Sequence, residues 1–382
     1  MIPYGKQSIT TEDINAVTDV LQADLITQGP LVPEFEQSIA DLCQAQYATA
    51  VSNATAALHI ANLALEVGAG DIVWTTPISF VASANCALYC GATIDFVDID
   101  INTANICPIQ LQGKLAKAQR ENQLPKVLVV VHMAGASCNM RAIAQLAKQY
   151  HFKVIEDASH AIGGKYLDQP IGSCQYSDIT VFSFHPVKII TSGEGGMALT
   201  NNQQLDKKLK RLRSHGITAD PAAMTQESHG PWYYEQVELG FNYRMTDIHA
   251  ALGLSQLNRL TSFVQKRNDI AKRYDNAFNH TNVMPIKPES DCYSAYHLYL
   301  VRLPEMSLAE QKHLFEKLRG DKIFIQKHYI PIYLQPYYQQ FNFDPADYPQ
   351  AQAYYRSVIT LPLYPELDIA QQDYIIDKIL RL

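Results

Sequence analysis

The chain has 382 residues, of which 47% are hydrophobic and 18% are charged, and its formal net charge is −7. This length exceeds what one compact core usually holds, so we expect two domains. A negative chain lacks the basic surface that general binding to nucleic acid or anionic membranes requires, although a small basic pocket for a phosphorylated ligand is compatible with it.

The seven cysteines are an odd number and are scattered, which is typical of reduced thiols and predicts a cytoplasmic protein. Cys86 and Cys90 are four positions apart, but no second Cys/His pair at ligand spacing accompanies them, so we predict no metal site. The segment MIPYGKQSITTED lacks the pattern of a signal peptide, and no apolar run reaches the roughly 18 residues of a membrane helix. We therefore expect no membrane association.

Apolar segments alternate with helical patterns from about residue 45 to residue 200. Strands are predicted at 47–53, 71–77, 93–100, 126–135, 152–160, 178–185 and 196–201, and helices at 54–68, 79–91 and 140–151. This alternation predicts a mainly parallel sheet covered by helices on both faces. Such sheets bind ligands at the carboxyl ends of their strands.

The pattern changes after about residue 245. A long helix with room for one break is predicted at 246–279, followed by a strand at 295–303, a helix at 308–320 and a tail rich in tyrosine and proline at 327–341. These elements predict a smaller α+β domain. We place the large domain, with its N-terminal arm, at residues 1–245 and the small domain at residues 246–382.

Lys188 stands in an apolar run before a glycine-rich turn, SFHPVKIITSGEGG (183–196). The ordinary interpretation is a lysine whose amine escapes to solvent at a strand end, because a buried charge is costly. The functional interpretation is a neutral amine that attacks a carbonyl and forms a Schiff base. Gly193, Gly195 and Gly196 favour the second, because a surface lysine needs no tight turn or close backbone approach.

Asp157 ends the apolar strand in VIEDASHA (154–161). A carboxylate at this edge can hold the N–H of a pyridinium ring, or it can simply cap a helix. His160 can donate to a phenolate oxygen or satisfy a backbone group of the loop. Both residues are therefore candidates for a cofactor site.

A third segment, SNATAALH (52–59), precedes a helical run. Thr55 and the backbone N–H of Ala56 can cradle a phosphate there, or the segment can be a plain helix cap. Phe80, after a strand and a proline turn, can stack on a flat ring or lie in the core. Together with Lys188 and Asp157, these groups predict a pyridoxal phosphate enzyme.

At this point the sequence resembles a known family. The motifs FSFHPVKIITSGEGG (182–196) and EDASHA (156–161) are similar to those of the DegT/DnrJ/StrS sugar-nucleotide aminotransferases, and the resemblance runs from LQADLITQGPLVPEFE (21–36) through LGFNYRMTDIHAALGLSQL (239–257) to the tail. It implies an aspartate-aminotransferase-like α/β fold (fold type I), pyridoxal 5'-phosphate, and a homodimer with shared active sites. It also implies L-glutamate as amino donor and a UDP-linked 4-keto sugar as acceptor.

The resemblance also implies roles for individual residues. Lys188 matches the lysine that binds the cofactor and moves the proton, and Asp157 matches the carboxylate on the pyridine nitrogen. The other implied cofactor contacts are His160 near the phenolic oxygen, where many members have glutamine, Phe80 on the ring, Thr55, Ala56 and Ser183 on the phosphate, and Asn242 across the dimer interface. The residues expected to bind the sugar substrate are Tyr4, Lys6, His185, His215, His328, Tyr329 and Tyr333.

Three alternatives stay open on the sequence. The strongest is an aminotransferase for another nucleotide keto-sugar, of bacillosamine or perosamine type. A few members of the family are dehydratases that carry histidine in place of the lysine, but Lys188 is present and His185 does not replace it. A non-catalytic regulator would keep the fold, but no DNA-binding segment is appended and the net charge is negative.

Overall fold

A seven-stranded sheet forms the centre of the computed structural model, which describes residues 1–304 and 306–381. The strands are β1 (Tyr47–Val51), β2 (Ile72–Thr75), β3 (Thr93–Phe96), β4 (Val127–Val131), β5 (Lys153–Asp157), β6 (Lys165–Tyr166), β7 (Gln169–Pro170), β8 (Ile179–Ser183), β9 (Gly196–Thr200), β10 (Ile217–Thr218), β11 (Glu235–Gln236), β12 (Met284–Pro285), β13 (Cys292–Tyr293), β14 (Tyr299–Arg302) and β15 (Val358–Leu361).

Helices surround this sheet and form much of the C-terminal part. They are α1 (Thr11–Leu21), α2 (Leu31–Cys43), α3 (Ala54–Ala64), α4 (Ala82–Tyr89), α5 (Pro108–Glu121), α6 (Met140–Tyr150), α7 (Gln203–Leu212), α8 (Asp247–Leu257), α9 (Leu260–Phe278), α10 (Leu308–Gly320), α11 (Pro349–Ser357) and α12 (Ile369–Leu380). Among the helices in the described ranges, none is both long and apolar enough to cross a membrane.

The order of the central sheet is β1-β9-β8-β5-β4-β2-β3, and only β9 runs against the others. The predicted, mainly parallel sheet is therefore confirmed. The reversal of β9 has a simple cause: β8 and β9 are joined by the loop that carries Lys188, with no crossover helix. A strand that returns directly must run antiparallel to its neighbour.

Both faces of the sheet are buried, as the continuous apolar run of β4 predicts. Alternate residues of β4 belong to two different cores. Val127 and Val129 pack in the core with α3 and α4, whereas Leu128 and Val130 pack in the core with α5 and α6. Because side chains alternate along a strand, one strand supplies both layers.

The C-terminal part contains an antiparallel sheet, β12-β14-β15, covered by α9, α10 and α12. The predicted long helix is broken once, between α8 and α9, at Asn258 and Arg259. The predicted strand at 295–303 is shorter, because β14 begins only at Tyr299. The segment before it, which includes His297, instead turns toward the central sheet, where Ala295 N–H donates to the carbonyl of Gly135 (3.0 Å).

Contacts cross the predicted boundary at residue 245 in both directions. Asp247, the first residue of α8, accepts hydrogen bonds from the backbone N–H groups of Gly29 (2.8 Å) and Leu31 (2.9 Å). Ile2 at the other end of the chain packs in the C-terminal core and pairs with Ile323. The division into domains at residue 245 remains a proposal.

Candidate active site

A cavity of about 650 Å³ opens at the carboxyl ends of β4, β5 and β8. This is the edge at which ligands bind in sheets of this kind. Its walls come from distant parts of the sequence, which the fold brings together. The lining residues are Tyr4, Asn53, Ala54, Thr55, Leu58, Ser79, Phe80, Ala82, Val131, Asp157, Ser159, His160, Ser183, His185, Val187, Lys188, Glu194, His297, His328 and Tyr329.

Lys188 lies in the loop between β8 and β9, with its amine in the cavity. Burial lowers the pKa of this amine to about 8, and the negative charge of Asp157 opposes the shift only in part. A lysine in this range carries a useful fraction of neutral amine near neutral pH. The structure thus places a lysine of lowered pKa in the cavity, and its role as a nucleophile stays a prediction.

The glycines after Lys188 fix the path of this loop. Gly193 has a φ of +81°, which an L side chain rarely adopts, so it makes the turn. Gly196 begins β9 directly against the start of α3, where an added Cβ would lie 2.5 Å from the backbone carbon of Asn53. The expected tight turn and close backbone approach are both present. They hold the lysine loop against the N-terminus of a helix.

Asp157 is the last residue of β5 and is almost completely buried. Its Oδ1 accepts the backbone N–H of Ser159 (3.2 Å), and its Oδ2 accepts the hydroxyl of Ser83 (2.6 Å). The carboxylate is therefore held at both oxygens and still lines the cavity. It is not a helix cap, which was the alternative interpretation.

The N-terminus of α3 forms the floor of the cavity on the β1 side. The side chain of Asn53 caps this helix by accepting the backbone N–H of Ala56 (2.8 Å). The Ala56 N–H donates to Asn53 in this structure, so its contact with a phosphate stays a prediction. The N–H groups of Ala54 and Thr55, in the first turn, cannot be reached by a carbonyl of their own helix and are the available donors.

His160 follows β5 and is buried, with its Nε2 3.2 Å from the hydroxyl of Tyr329. Its ring packs against that of His297 at a centroid distance of 4.4 Å. Burial first, and the nearby charge of Lys188 second, lower the pKa of His160 well below its usual range. Burial likewise lowers the pKa of His328 to about 3. His160 and His328 are therefore neutral near pH 7.

Phe80 lies at the mouth of the cavity with 58% of its surface exposed. Its ring faces Tyr329 at a centroid distance of 6.3 Å. The alternative of a core phenylalanine is therefore wrong. An exposed aromatic face at a cavity entrance is available to stack on a flat ring.

The residues expected to bind the sugar fall into two groups. Tyr4, His185, His328 and Tyr329 line the cavity. Lys6 and His215 are exposed and are not part of its lining. Asn242, the implied contact across a dimer interface, is also exposed and outside the lining.

The prediction for Tyr333 is corrected. Its ring is only 3% exposed and stacks on Tyr348 at a centroid distance of 4.9 Å, within the core that also contains Phe96. A side chain packed in this way presents no surface to a substrate in the cavity. Tyr333 therefore belongs to the packed tail, which was the alternative interpretation of this segment.

Five polar lining residues were not assigned by sequence reasoning. Asn53 lay in the quoted segment SNATAALH and Ser79 began the predicted helix at 79–91, but a small polar residue in such a run gives no sign of which way it points. Ser159 is a neighbour of His160, and Glu194 lies in the glycine turn after Lys188. His297 gave no signal at all, because a single histidine in a strand-like run is usually a core residue. The five are Asn53, Ser79, Ser159, Glu194 and His297.

Comparison with known proteins gives concordant matches over nearly the whole chain. The model of the DegT/DnrJ/EryC1/StrS aminotransferase family matches residues 7–380. The spore coat polysaccharide biosynthesis protein SpsC of Bacillus subtilis (strain 168) is 37% identical over 383 residues, which cover 99% of this chain and 96% of SpsC.

Two further matches carry more specific descriptions. A Campylobacter jejuni protein (serotype O:23/36, strain 81-176) named UDP-4-amino-4,6-dideoxy-N-acetyl-beta-L-altrosamine transaminase is 35% identical over 380 residues, covering 99% of this chain and 96% of the relative. The structure of Helicobacter pylori PseC, described as an aminotransferase involved in the biosynthesis of pseudoaminic acid, superposes with a TM-score of 0.91 at 32% identity, covering 100% of this chain and 98% of PseC.

Proposed function

Because the chain belongs to the DegT/DnrJ/EryC1/StrS aminotransferase family, we propose that it transfers the amino group of L-glutamate to C4 of UDP-2-acetamido-2,6-dideoxy-β-L-arabino-hex-4-ulose. The coarser statement is established: the protein is a pyridoxal-phosphate-dependent sugar aminotransferase of fold type I. The identity of the sugar is the proposal. Its products would be the 4-amino sugar and 2-oxoglutarate, in pseudaminic acid biosynthesis.

The single observation that carries the activity is the meeting of Lys188 and Asp157 in one cavity. An amine of lowered pKa, a carboxylate held at both oxygens and a helix N-terminus fit the aldehyde, ring nitrogen and phosphate of pyridoxal phosphate. A Cβ on Gly196 would lie 2.6 Å from the N atom of Ala54 and would collide with the backbone at the start of α3, so the glycine is needed for this approach. When bound, the cofactor supplies the electron sink that makes an α-proton of the amino acid removable.

Each residue then has a stated task. Lys188 Nζ would hold the aldehyde carbon, and Asp157 would accept the ring N–H. Thr55 and Ser183, with the first-turn N–H groups of α3, would bind the phosphate. Phe80 would cover one face of the ring and exclude water from it.

Lys188 is also the group that moves protons. Burial lowers the pKa of its free amine to about 8, so a neutral Nζ would be available to take the α-proton of L-glutamate. The same Nζ would deliver a proton to C4 of the sugar in the second half of the cycle. The face from which it does so determines whether the new amine is axial or equatorial.

The choice of sugar is supported by two kinds of likeness. The relative at 35% identity and the neighbouring structure PseC carry names that refer to this chemistry. The segments TTPISFVASAN (75–85), RSHGI (213–217) and HYIPIYLQPYYQQF (328–341) are those most like that subgroup. Tyr4, His185, His328 and Tyr329 provide the aromatic and imidazole groups that can contact the sugar from the cavity walls.

We also propose a homodimer with shared sites. The segment before Asn242 exposes large apolar side chains, among them Trp232 (75% exposed) and Leu239 (79% exposed). Apolar groups this exposed favour contact with another protein surface. Asn242 lies in this segment, outside the cavity of its own subunit, and is proposed to contact the phosphate bound by the partner. Lys6 and His215 are exposed in a single subunit, and we retain the proposal that they contact the substrate.

The experiment separates the two half-reactions. The enzyme is first treated with L-glutamate alone until its visible absorbance has changed completely. It is then offered two UDP-4-keto-6-deoxy-N-acetyl sugars that differ only in configuration at C5, the L-arabino and the D-xylo forms. Recovery of the original absorbance reports which sugar accepts the amine.

The expected result is preference for the L-arabino sugar. Preference for the D-xylo sugar would indicate that the enzyme catalyses a bacillosamine-type reaction instead. A normal reaction with glutamate and no response to either sugar would support the assignment as an aminotransferase but reject the proposed sugar substrate. Lys312, whose side chain is 80% exposed, offers a control, because Lys312→Ala is expected to leave both half-reactions unchanged.

A further inference from the structure

Two buried serines stand behind the carboxylate of Asp157. The hydroxyl of Ser83 lies 2.6 Å from Asp157 Oδ2, and the hydroxyl of Ser79 lies 2.7 Å from that of Ser83. Ser83 is completely buried, and Ser79 is 3% exposed and lines the cavity. The three groups form one hydrogen-bonded chain that ends at the carboxylate.

The chain has a fixed direction. An ionised carboxylate can only accept, so Ser83 must donate its single proton to Asp157 Oδ2. The oxygen of Ser83 is then free to accept, and the proton between the two serines must come from Ser79. The hydroxyl dipoles therefore all point toward the negative charge.

Ordinary helix capping does not explain this arrangement. Ser83 lies in the first turn of α4, where a serine usually satisfies a free backbone N–H of its own helix. The N-cap of α4 is Val81, and no side chain caps this helix. The Ser83 hydroxyl instead bonds a residue 74 positions away on another element.

We infer that Ser83, supported by Ser79, is the positioning residue that holds the Asp157 carboxylate in the orientation in which it binds the ring nitrogen of the cofactor. This inference rests on the proposed role of Asp157. Oδ1 is fixed by Ser159 N–H and Oδ2 by Ser83, so the plane of the carboxylate cannot rotate freely. The remaining lone pairs stay directed at the cavity.

Loss of the Ser83 hydroxyl would act on the charged form of Asp157. A hydrogen bond to an ionised oxygen is shorter and stronger than a neutral one, and a buried oxygen deprived of its donor is not compensated by water. The carboxylate would lose orientation and part of its stabilisation. The hydrogen bond from the protonated ring nitrogen of the cofactor to this carboxylate would weaken in consequence.

The test measures binding of pyridoxal phosphate to the cofactor-free protein by titration, together with the pH dependence of the visible absorbance of the loaded protein. We expect Ser83→Ala to weaken binding about tenfold and to move the pH at which the absorbance changes. Ser83→Thr, which keeps the hydroxyl, restores both quantities to near the original values. Ser79→Ala gives a smaller change in the same direction.

Ser357→Ala is the matched control. Ser357 is a buried serine in α11 whose hydroxyl donates to the carbonyl of Ala353 (2.8 Å), away from the cavity. Its replacement removes a buried hydroxyl and lowers the thermal midpoint, but leaves cofactor binding and the pH profile unchanged. Should Ser83→Ala fail to fold, the same measurements are made on Ser83→Cys and Ser79→Ala.

The double variant separates this inference from the proposed function. In an Asp157→Asn background, where the negative charge is absent, Ser83→Ala is expected to add little further loss. An equal loss in both backgrounds, or a Ser83→Ala protein with unchanged binding and pH profile, would overturn the inference. Unchanged binding and spectra in Asp157→Asn alone would instead reject the role of Asp157.

Discussion

The hydroxyl oxygen of Tyr329 lies 3.2 Å from Nε2 of His160, which joins the C-terminal tail to the loop after β5. Burial raises the pKa of Tyr329, so the phenol stays protonated, and lowers that of His160, so the imidazole stays neutral. The two neutral groups share one hydrogen bond, whose direction depends on which ring nitrogen of His160 carries the proton. Within the described residues Nδ1 of His160 has no hydrogen-bond partner.

Tyr329→Phe removes this hydrogen bond and leaves Nε2 of a buried histidine without a partner. We expect kcat/KM to fall about tenfold with little change in the thermal midpoint. Steady-state kinetics of Tyr329→Phe, His160→Asn and the double variant check this, since residues in one hydrogen bond give losses that do not add. Tyr337→Phe, at an exposed tail tyrosine, is the control. Strictly additive losses would contradict the proposed link.

Lys188→Ala should abolish the change of absorbance on addition of pyridoxal phosphate and reduce turnover by more than about a thousandfold. Both effects follow because one amine holds the cofactor and moves the proton. The measurements are an absorbance titration and a coupled assay for 2-oxoglutarate. A Lys188→Ala protein with full activity would remove the basis of the mechanism.

The depressed pKa of Lys188 also predicts a dependence of stability on pH in the cofactor-free protein. In the folded state its pKa is about 8, against an ordinary value of 10.5, so between these values the unfolded chain binds more protons and wild-type stability rises with pH. At pH 7 the folded protein must keep a charged amine buried, where its charge is less well solvated than in water.

Lys188→Met should therefore increase the free energy of unfolding at pH 7 by about 1–3 kcal/mol, with a difference that shrinks as the pH passes from 8 to above 10. Urea unfolding at a series of pH values measures it. Lys312→Met, at a lysine whose side chain is 80% exposed, should change stability little at any pH. A variant that is less stable than the wild type at pH 7 would show that burial does not destabilise the charged amine.

Shared sites can be tested by complementation. Lys188→Ala and Asn242→Ala are both expected to be inactive as homodimers, for different reasons. If Asn242 serves the cavity of the partner, a mixed dimer has one site with both defects and one intact site. Random exchange of subunits should restore about a quarter of the wild-type activity. No recovery after subunit exchange has been verified by native mass spectrometry would place Asn242 outside the partner's site.

Gly196→Ala should destabilise the protein by about 2–4 kcal/mol and weaken cofactor binding, because the new methyl group would overlap the backbone at Asn53 and Ala54. Chemical denaturation and cofactor titration measure the two effects. Gly113 in α5 is the control, since a Cβ there meets nothing within 4 Å. Gly113→Ala should stabilise the protein by about 0.5–1 kcal/mol through helix propensity alone. Equal behaviour of the two variants would contradict the close approach of β9 and α3.

The sequence predicted the sheet well because buried strands leave a continuous apolar signal, as β4 does. The direction of β9 could not be predicted in the same way. It depends on whether the Lys188 loop crosses the sheet or returns beside β8, and apolar periodicity carries no sign of direction. The break between α8 and α9 was allowed for, but its position depends on how α8 packs against α1 and α2.

The candidate site was predictable where a residue follows a strand directly, as Asp157 and His160 do. It was not predictable where function depends on which way a side chain points. Ser83 and Tyr333 are the two examples. Ser83 is a small polar residue that bonds a carboxylate distant in the sequence, and it was not predicted. Tyr333 is an aromatic residue of the tail that packs in the core instead of lining the cavity. Both orientations are set by packing against elements far away in the sequence.

The pairing of Ile2 with Ile323 has a consequence for how the protein is made. Ile2 leaves the ribosome long before Ile323, so it stays unpaired while the chain between the two residues emerges. Tyr4, two residues on, receives its backbone partner Leu363 later still. The cavity wall that Tyr4 forms is thus completed late, and a nascent chain has no finished site until Leu363 has emerged.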